Sequence, residues 1–309
     1  MKTALSVFFN IDRTYLTFVR NTPDGLSLEY INSTKGYIDL EDLRSESSKK
    51  GAAELQEILG QISEPPDRLS VTIPAEIVYV SQFPGRQGMK PQELRQLVGL
   101  EIRQAYPGMN YEDFVTNIYP MRAGKSGKDM MMAVIISKEI IKSCEKLLET
   151  TGRHIDNIEI SHMNAHTAFL YNYPDRHDQN VALLGIQENF IDVSVLEKSH
   201  PVYYNLLSVN NMDQLSEMLE EEFNRIRENY VDQIDTAFFF GASLTKELYL
   251  QMWETAMLIG FEAGRLNAFR MMSTKLDERA RDYCVHTSHI YPPSIGGALP
   301  SYHKKIKLY

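Results

Sequence analysis

One order of short apolar runs is written twice along this chain, and that recurrence limits its fold more than any single motif. Ala4 to Phe9, Tyr15 to Val19 and Leu26 to Ile31 are β-prone runs separated by turn residues that include Pro23-Asp24-Gly25, which predicts a three-stranded meander. A polar, serine-rich loop from Glu41 to Lys50 leads to a helix whose apolar positions Leu55, Ile58, Leu59 and Ile62 share one face until Pro65-Pro66 stops it. Leu69 to Ile73 is the next strand. The same order returns after residue 180. Val181 to Ile186, Phe190 to Leu196 and Val202 to Val209 read as a second meander, with turns at Glu188-Asn189 and Ser199-His200-Pro201. Met212, Leu215, Leu219, Phe223, Ile226 and Tyr230 then step at helical spacing behind an Asn211 and Gln214 pair that resembles a capping box. Ile234 to Phe240 is a strand, and Gly241-Ala242-Ser243 turns into a helix from about Leu244, with Ser243 as its cap. The repeat lies in pattern and not in residue identity, so it predicts two similar halves meeting near residues 170 to 180.

Material between the repeats belongs to the first half. Val71 through Phe83 is extended, and Pro91 opens a helix with Leu94, Leu97, Val98, Ile102 and Ala105 on one side, ended by Pro107-Gly108. Strands near Tyr111 to Pro120 and Met130 to Ile136 flank a loop from Arg122 to Asp129. Ser137 caps a helix carrying Ile140, Ile141, Cys144, Leu147 and Leu148, closed by Gly152.

Composition removes several function classes. Thirty-two Lys plus Arg against 41 Asp plus Glu give a net charge of −9, which repels phosphate backbones and anionic lipid, so nucleic acid is not expected as a partner. Cys144 and Cys284 stand apart with no His or Cys at metal spacing, which argues against a disulfide framework or a zinc site and fits a reducing cytoplasm. The apolar N-terminal run is broken by Asn10, Asp12 and Arg13, unlike a signal peptide, and the run from Met130 to Ile136 is too short to span a bilayer.

Four stretches, in their order and spacing, carry a family resemblance. They are Leu69-Ser70-Val71-Thr72-Ile73-Pro74; Pro91-Gln92-Glu93-Leu94 opening a helix that ends in Gln104-Ala105-Tyr106-Pro107-Gly108; Ala133-Val134-Ile135-Ile136-Ser137-Lys138-Glu139; and Gly152 through Ile160 continuing into Ala165-His166-Thr167-Ala168-Phe169. With the second meander they resemble the PilM-like type IV pilus assembly proteins of the actin-like ATPase superfamily. The resemblance implies an α/β, RNase H-like duplication: two βββαβα halves around a cleft, residues 1–175 with an inserted subdomain at about 75–135, and residues 176–309.

In that superfamily the first hairpin of each half carries an Asp-x-Gly that supports magnesium and the attacking water. Mg²⁺ takes hard oxygen ligands, usually one or two of them carboxylates, and phosphoryl transfer depends on that charge neutralisation. This sequence departs from the pattern in both halves. Val7-Phe8-Phe9-Asn10-Ile11-Asp12-Arg13 sets aromatic residues near the expected acid, and Leu184-Gly185-Ile186-Gln187-Glu188 sets Gly and Gln where Asp and Gly belong. Asp12, Glu188 and Asp192 are replacement carboxylates if the register slips. The adenosine-side Gly-Gly survives as Gly241-Ala242. Asn10, Asp12, Gln187, Glu188, Gly241 and Ala242 are therefore expected to line a vestigial nucleotide cleft, with no catalytic residue and no metal ligand assigned. ATP and Mg²⁺ bind only if the cleft is still competent.

Four motifs read better as scaffold. Gly124-Lys125-Ser126 lacks the first glycine of a P-loop and precedes a strand, so a solvated hairpin loop is expected. His162 and His166 have metal-like spacing without a third ligand, and read as surface or interfacial. The run Glu217 to Glu222 reads as a wet helix face, and His303-Lys304-Lys305-Ile306-Lys307 as a solvated basic tail, or one leaning on lipid or an acidic partner. By resemblance the chain is expected to be a cytoplasmic scaffold, peripheral at the inner membrane, for a pilus or secretion-type machine. It would hold the cytoplasmic tail of a PilN-like inner-membrane protein through Tyr79, Leu94, Val98 and Ile102, with self-association open. The same helix face also reads as plain core. The rival readings are a working actin-like ATPase or kinase with displaced acids, and service in an unrelated envelope apparatus.

Overall fold

The computed structural model describes residues 2–86, 88–209 and 214–308. Asn211 and Met212, with the expected capping box, lie outside them. The chain forms two compact units: Met1–Val78 with Ile136–Asn172 and Asn267–Tyr302, and Tyr79–Ile135 with Tyr173–Leu266 and His303–Tyr309. This division differs from the linear halves. The inserted segment clusters with the second repeat, and the chain returns to the first unit for its last two helices.

In the first unit β1 (Thr3–Phe9), β2 (Thr14–Thr22) and β3 (Gly25–Ser33) form the expected antiparallel meander. Helix α1 (Glu46–Leu59) starts earlier than the serine-rich loop suggested, because the Ser45 side chain accepts the Ser48 N–H. It also ends before Ile62. Strand β4 (Arg68–Ile73) pairs parallel with β1, and β8 (Asn157–Ile160) parallel with β4. In the second unit β9 (Asn180–Ile186), β10 (Phe190–Glu197) and β11 (His200–Ser208) repeat the meander. Lys198 and Ser199 both have positive φ, a two-residue turn whose twist suits a hairpin, so β11 begins at His200, before the expected Val202. Strand β12 (Thr236–Phe240) pairs parallel with β9, and β13 (Glu262–Arg265) parallel with β12. The orders β3-β2-β1-β4-β8 and β11-β10-β9-β12-β13 are one topology used twice, which shows the duplication directly.

Helices cover these sheets. Helix α5 (Leu215–Asn229) buries Leu215, Leu219, Phe223 and Ile226. Glu222 is buried too, against the wet-face expectation, and accepts hydrogen bonds from Tyr203, Asn205 and Arg225. Helix α6 (Lys246–Ile259) starts after Leu244, capped by Thr245 and not by Ser243. In the first unit α3 (Lys138–Leu148) has the expected Ser137 cap. Helix α4 (Ser161–Asn172) is buried from Ser161 through Leu170, so His162 and His166 are core side chains with rings 5.0 Å apart, not surface or interfacial ones. Burial pushes the His162 imidazole down to about 3, keeping it neutral. Helix α7 (Glu278–Thr287) buries none of its side chains, whereas α8 (Pro292–Ala298) buries all. Between α6 and α7, β14 (Ser273–Thr274) adds to the β3 edge.

The insertion is a second small sheet, β15-β6-β7-β5, covered by α2 (Pro91–Ala105). Its strands are β5 (Tyr79–Pro84), β6 (Phe114–Met121), β7 (Met130–Ser137) and β15 (Ile306–Leu308). The basic tail is solvated only in part: Lys304 and Lys307 are exposed, but β15 pairs with β6, Leu308 is buried, and burial with the His200 charge pushes His303 down to about 4. The Gly124-Lys125-Ser126 loop also docks. Lys125 donates its N–H to the Asn229 carbonyl at 2.9 Å and its Nζ to the Arg227 carbonyl at 2.5 Å, binding the orphan carbonyls at the end of α5.

Candidate functional site

The two hairpins that open the repeats close in the same way. Asn10 N–H donates to the Arg13 carbonyl at 3.1 Å, and Gln187 N–H to the Phe190 carbonyl at 2.9 Å. Asn10 directly follows β1 and Gln187 directly follows β9, so these two residues are equivalent. Each is buried and presents a carboxamide, and in each the side-chain oxygen (Asn10 Oδ1, Gln187 Oε1) is buried without a hydrogen-bond partner. The structure thus refines the sequence reading of the first hairpin. Phe8 and Phe9 are core side chains, and the position at the turn is filled by an amide instead of a ring.

Of the nearby carboxylates, Asp12 and Asp192 accept hydrogen bonds and Glu188 is exposed. Asp12 accepts from Asn10 Nδ2 at 2.7 Å and from the Tyr15 hydroxyl at 2.5 Å, and lies 3.3 Å from Arg13 Nε. Burial first, and then the Asp12 charge, push the Tyr15 phenol well above its ordinary range, so it stays a donor. Glu188 is exposed. Asp192 lies opposite Gly185 in the β9–β10 pair and is buried, accepting the Tyr204 hydroxyl at 2.5 Å. Gly185 is required by packing, since a Cβ there would stand 2.9 Å from the Phe240 ring.

Gly241 is equally structural. Its φ is +121°, and a Cβ would fall 2.2 Å from the Ile186 carbonyl oxygen, so the chain after β12 can press on the second hairpin only through glycine. Ala242 is half-buried in the turn before Thr245. Taken hairpin by hairpin, the turn residues do not fit Mg²⁺ and a triphosphate. Neutral amides occupy both turns and the first hairpin's acid is held by its own neighbours, whereas Mg²⁺ calls for carboxylates. No group of three or more His, Cys, Asp or Glu among the described residues could hold a metal ion.

The four residues expected to line a partner groove separate. Leu94, Val98 and Ile102 are fully buried with Phe83, Phe114, Ile118, Met131 and Ile135, as core side chains that hold α2 on the small sheet. The plain-core alternative describes them. Tyr79 alone is partly exposed, on β5, its ring edge-on to Tyr106 at 6.0 Å. With β15 on the other side, β5 is the remaining edge strand of that sheet.

Sequence reasoning missed Gly296 and Gly297. A Cβ on Gly296 would lie 1.7 Å from the Asn164 carbonyl oxygen, and one on Gly297 2.4 Å from Ser6 Oγ. Their pairing inside a Pro-Pro-initiated segment is the signal that was available.

No family model matches the chain, and no curated protein matches it. Solved structures do. A chain of the PilM–PilN type IV pilus biogenesis complex superposes with a TM-score of 0.74 at 13% identity, covering 96% of this chain and 97% of that one. A Bacteroides thetaiotaomicron protein with an actin-like ATPase fold superposes at 0.52 and 11% identity, covering 85% and 90%. The fold of this chain is the actin-like ATPase fold, in its PilM-like form.

Proposed function

We propose that this chain is a non-hydrolysing, actin-like scaffold of a pilus or secretion-type assembly machine, acting by holding a partner and not by turning over nucleotide. The observation that carries the reading is the pair of carboxamides, Asn10 and Gln187, at equivalent turns of a fold that otherwise matches a PilM–PilN chain along nearly its whole length. The fold is retained where catalysis needs it, while the acids that would serve magnesium are replaced, so binding is the property left for it to perform.

The proposed partner is the cytoplasmic tail of a PilN-like inner-membrane protein, which places the chain at the cytoplasmic face of that membrane. Among the described residues no helix is long and apolar enough to cross a membrane. The tail adds as a strand to β5, whose backbone groups on the open side supply hydrogen bonds while the Tyr79 ring supplies apolar contact. This moves the docking element from the α2 face, which is occupied by core, to the strand edge beside it.

The test combines the full chain with synthetic tails of single-span membrane proteins encoded beside it, read by hydrogen exchange. Protection of β5 amides, with affinity about tenfold weaker for Tyr79→Ala and unchanged by ATP and Mg²⁺, is the expected result. A tail that protects other segments only, or binds only with ATP and Mg²⁺ present, overturns the reading.

A further inference from the structure

Of the ten large apolar side chains that are exposed among the described residues, four lie on α6: Leu250, Trp253, Met257 and Leu258, the last 89% exposed. Leu250, Trp253 and Met257 are spaced i, i+3 and i+7, so they form one ridge, and Glu254 and Leu258 turn from it toward α5. The core-facing side of the helix is separately satisfied by Leu248, Met252 and Ala256. The ridge is therefore additional apolar surface that folding does not use.

Beside it runs a groove of about 450 Å³ between α5 and α6. Its floor is fixed by Ser216, which bonds to Gln251 at 3.3 Å and to Thr255 at 3.0 Å. Its rim carries Glu217, Glu220 and Glu254, and among the described residues no ion pair engages these three. Among the described residues the cation lining the groove is the half-buried Arg227, which donates to Asn224 Oδ1 at 2.6 Å and to the Ile259 carbonyl at 3.5 Å. Lys246 starts α6, and Arg176, which lines a cavity with Met257, is engaged by Glu262 at 3.3 Å.

We propose that the α5–α6 face docks a cationic amphipathic helix of a partner protein, its apolar side on the Leu250–Trp253–Met257 ridge and its Lys or Arg side chains over the Glu217, Glu220 and Glu254 rim. The charge selects this occupant. A two-fold pairing of two copies would match the face to itself and bring like carboxylates together, and an anionic lipid surface would be repelled. Helical spacing of the ridge and a small-residue groove floor suit ridge-into-groove packing by a helix. The inference goes beyond tail binding at β5 and does not depend on it.

Trp253 is the only tryptophan, so its fluorescence reports this face alone. The full chain is titrated with a Leu/Lys amphipathic helical peptide free of aromatic residues, and with a Leu/Glu peptide of the same length. The expected result is a saturable blue shift with the Leu/Lys peptide, binding at least about tenfold tighter than the Leu/Glu peptide and weakening with salt. Combined Glu217→Lys, Glu220→Lys and Glu254→Lys substitutions remove that preference, and Leu250→Ser with Met257→Ser weakens both peptides while circular dichroism stays unchanged. No Trp253 response, equal affinity for both peptides, or a preference that survives the Lys substitutions overturns the proposal. So does a shift produced by raising the concentration of the chain itself, which would assign the face to a second copy, or by zwitterionic vesicles, which would assign it to lipid.

Discussion

Replacing Gly296 by Ala puts a methyl group 1.7 Å from the Asn164 carbonyl oxygen, where real Cβ atoms essentially never come within 3.0 Å. Helices α8 and α4 must separate by more than an ångström, and because the obstacle is backbone, no rotamer change relieves it. Retreat of α8 strains the bonds from Thr17 Oγ1 to the Ser294 carbonyl (3.2 Å), Thr72 Oγ1 to the Pro293 carbonyl (3.3 Å) and Arg68 Nη1 to the Leu299 carbonyl (2.8 Å). Overpacking costs about 1–3 kcal/mol, and weakening the three bonds adds about 1 kcal/mol each, so a loss of about 4–6 kcal/mol is expected. Gly297→Ala meets side-chain atoms and no backbone, Ser6 Oγ at 2.4 Å, Thr72 Oγ1 at 2.8 Å and Asn164 Nδ2 at 3.2 Å, and should cost about 1–3 kcal/mol. Gly99→Ala in α2 meets nothing within 4 Å and should gain up to about 1 kcal/mol from helix propensity. Urea unfolding followed by circular dichroism ranks the three variants, while Trp253 fluorescence follows the second unit separately. A Gly296→Ala variant that is no less stable than Gly297→Ala refutes the close-approach argument.

Core placement of the α2 face predicts that Leu94→Ala lowers stability by about 2–5 kcal/mol, seen as a shifted unfolding midpoint; an unchanged midpoint with lost tail binding would restore the groove reading. Leu308→Ala should cost about 2–4 kcal/mol and speed hydrogen exchange in β6, and wild-type exchange there would mean β15 is not a working strand. His162 has its folded value held down to about 3 by burial, below its unfolded value of 6.5, so the unfolded chain takes up the proton first. Its contribution is fully present above pH 6.5 and is lost as pH falls toward 3, at no more than about 1.4 kcal/mol per pH unit. Between pH 7 and pH 5 the wild type should lose about 2 kcal/mol more than His162→Gln, and equal losses would contradict a neutral, buried imidazole.

The duplication was legible because strand and helix periods repeat in the same order, and the structure returns one topology twice. What escaped the sequence depended on contacts between distant segments. Helix α4 is buried on every side, so it has no amphipathic period to show that His162 and His166 are core. The start of α6 is set at Thr245 because Gly241 first spends a turn against Ile186, a constraint that Ser243 alone does not reveal. Three residues of β15 carry almost no local signal, and their strand state comes from β6. At the hairpins the missing Asp-x-Gly was readable directly, whereas the equivalence of Asn10 and Gln187 required the turn geometry. The apolar ridge of α6 is invisible to periodicity, since an exposed Trp253 and a buried one have the same place in the pattern.

Calorimetric titration of the purified chain with ATP in the presence of Mg²⁺, paired with a phosphate-release assay, addresses the central claim. With amides at both turns, no saturable heat in the micromolar range and no phosphate above the protein-free control are expected; micromolar binding accompanied by turnover would contradict a non-hydrolysing scaffold.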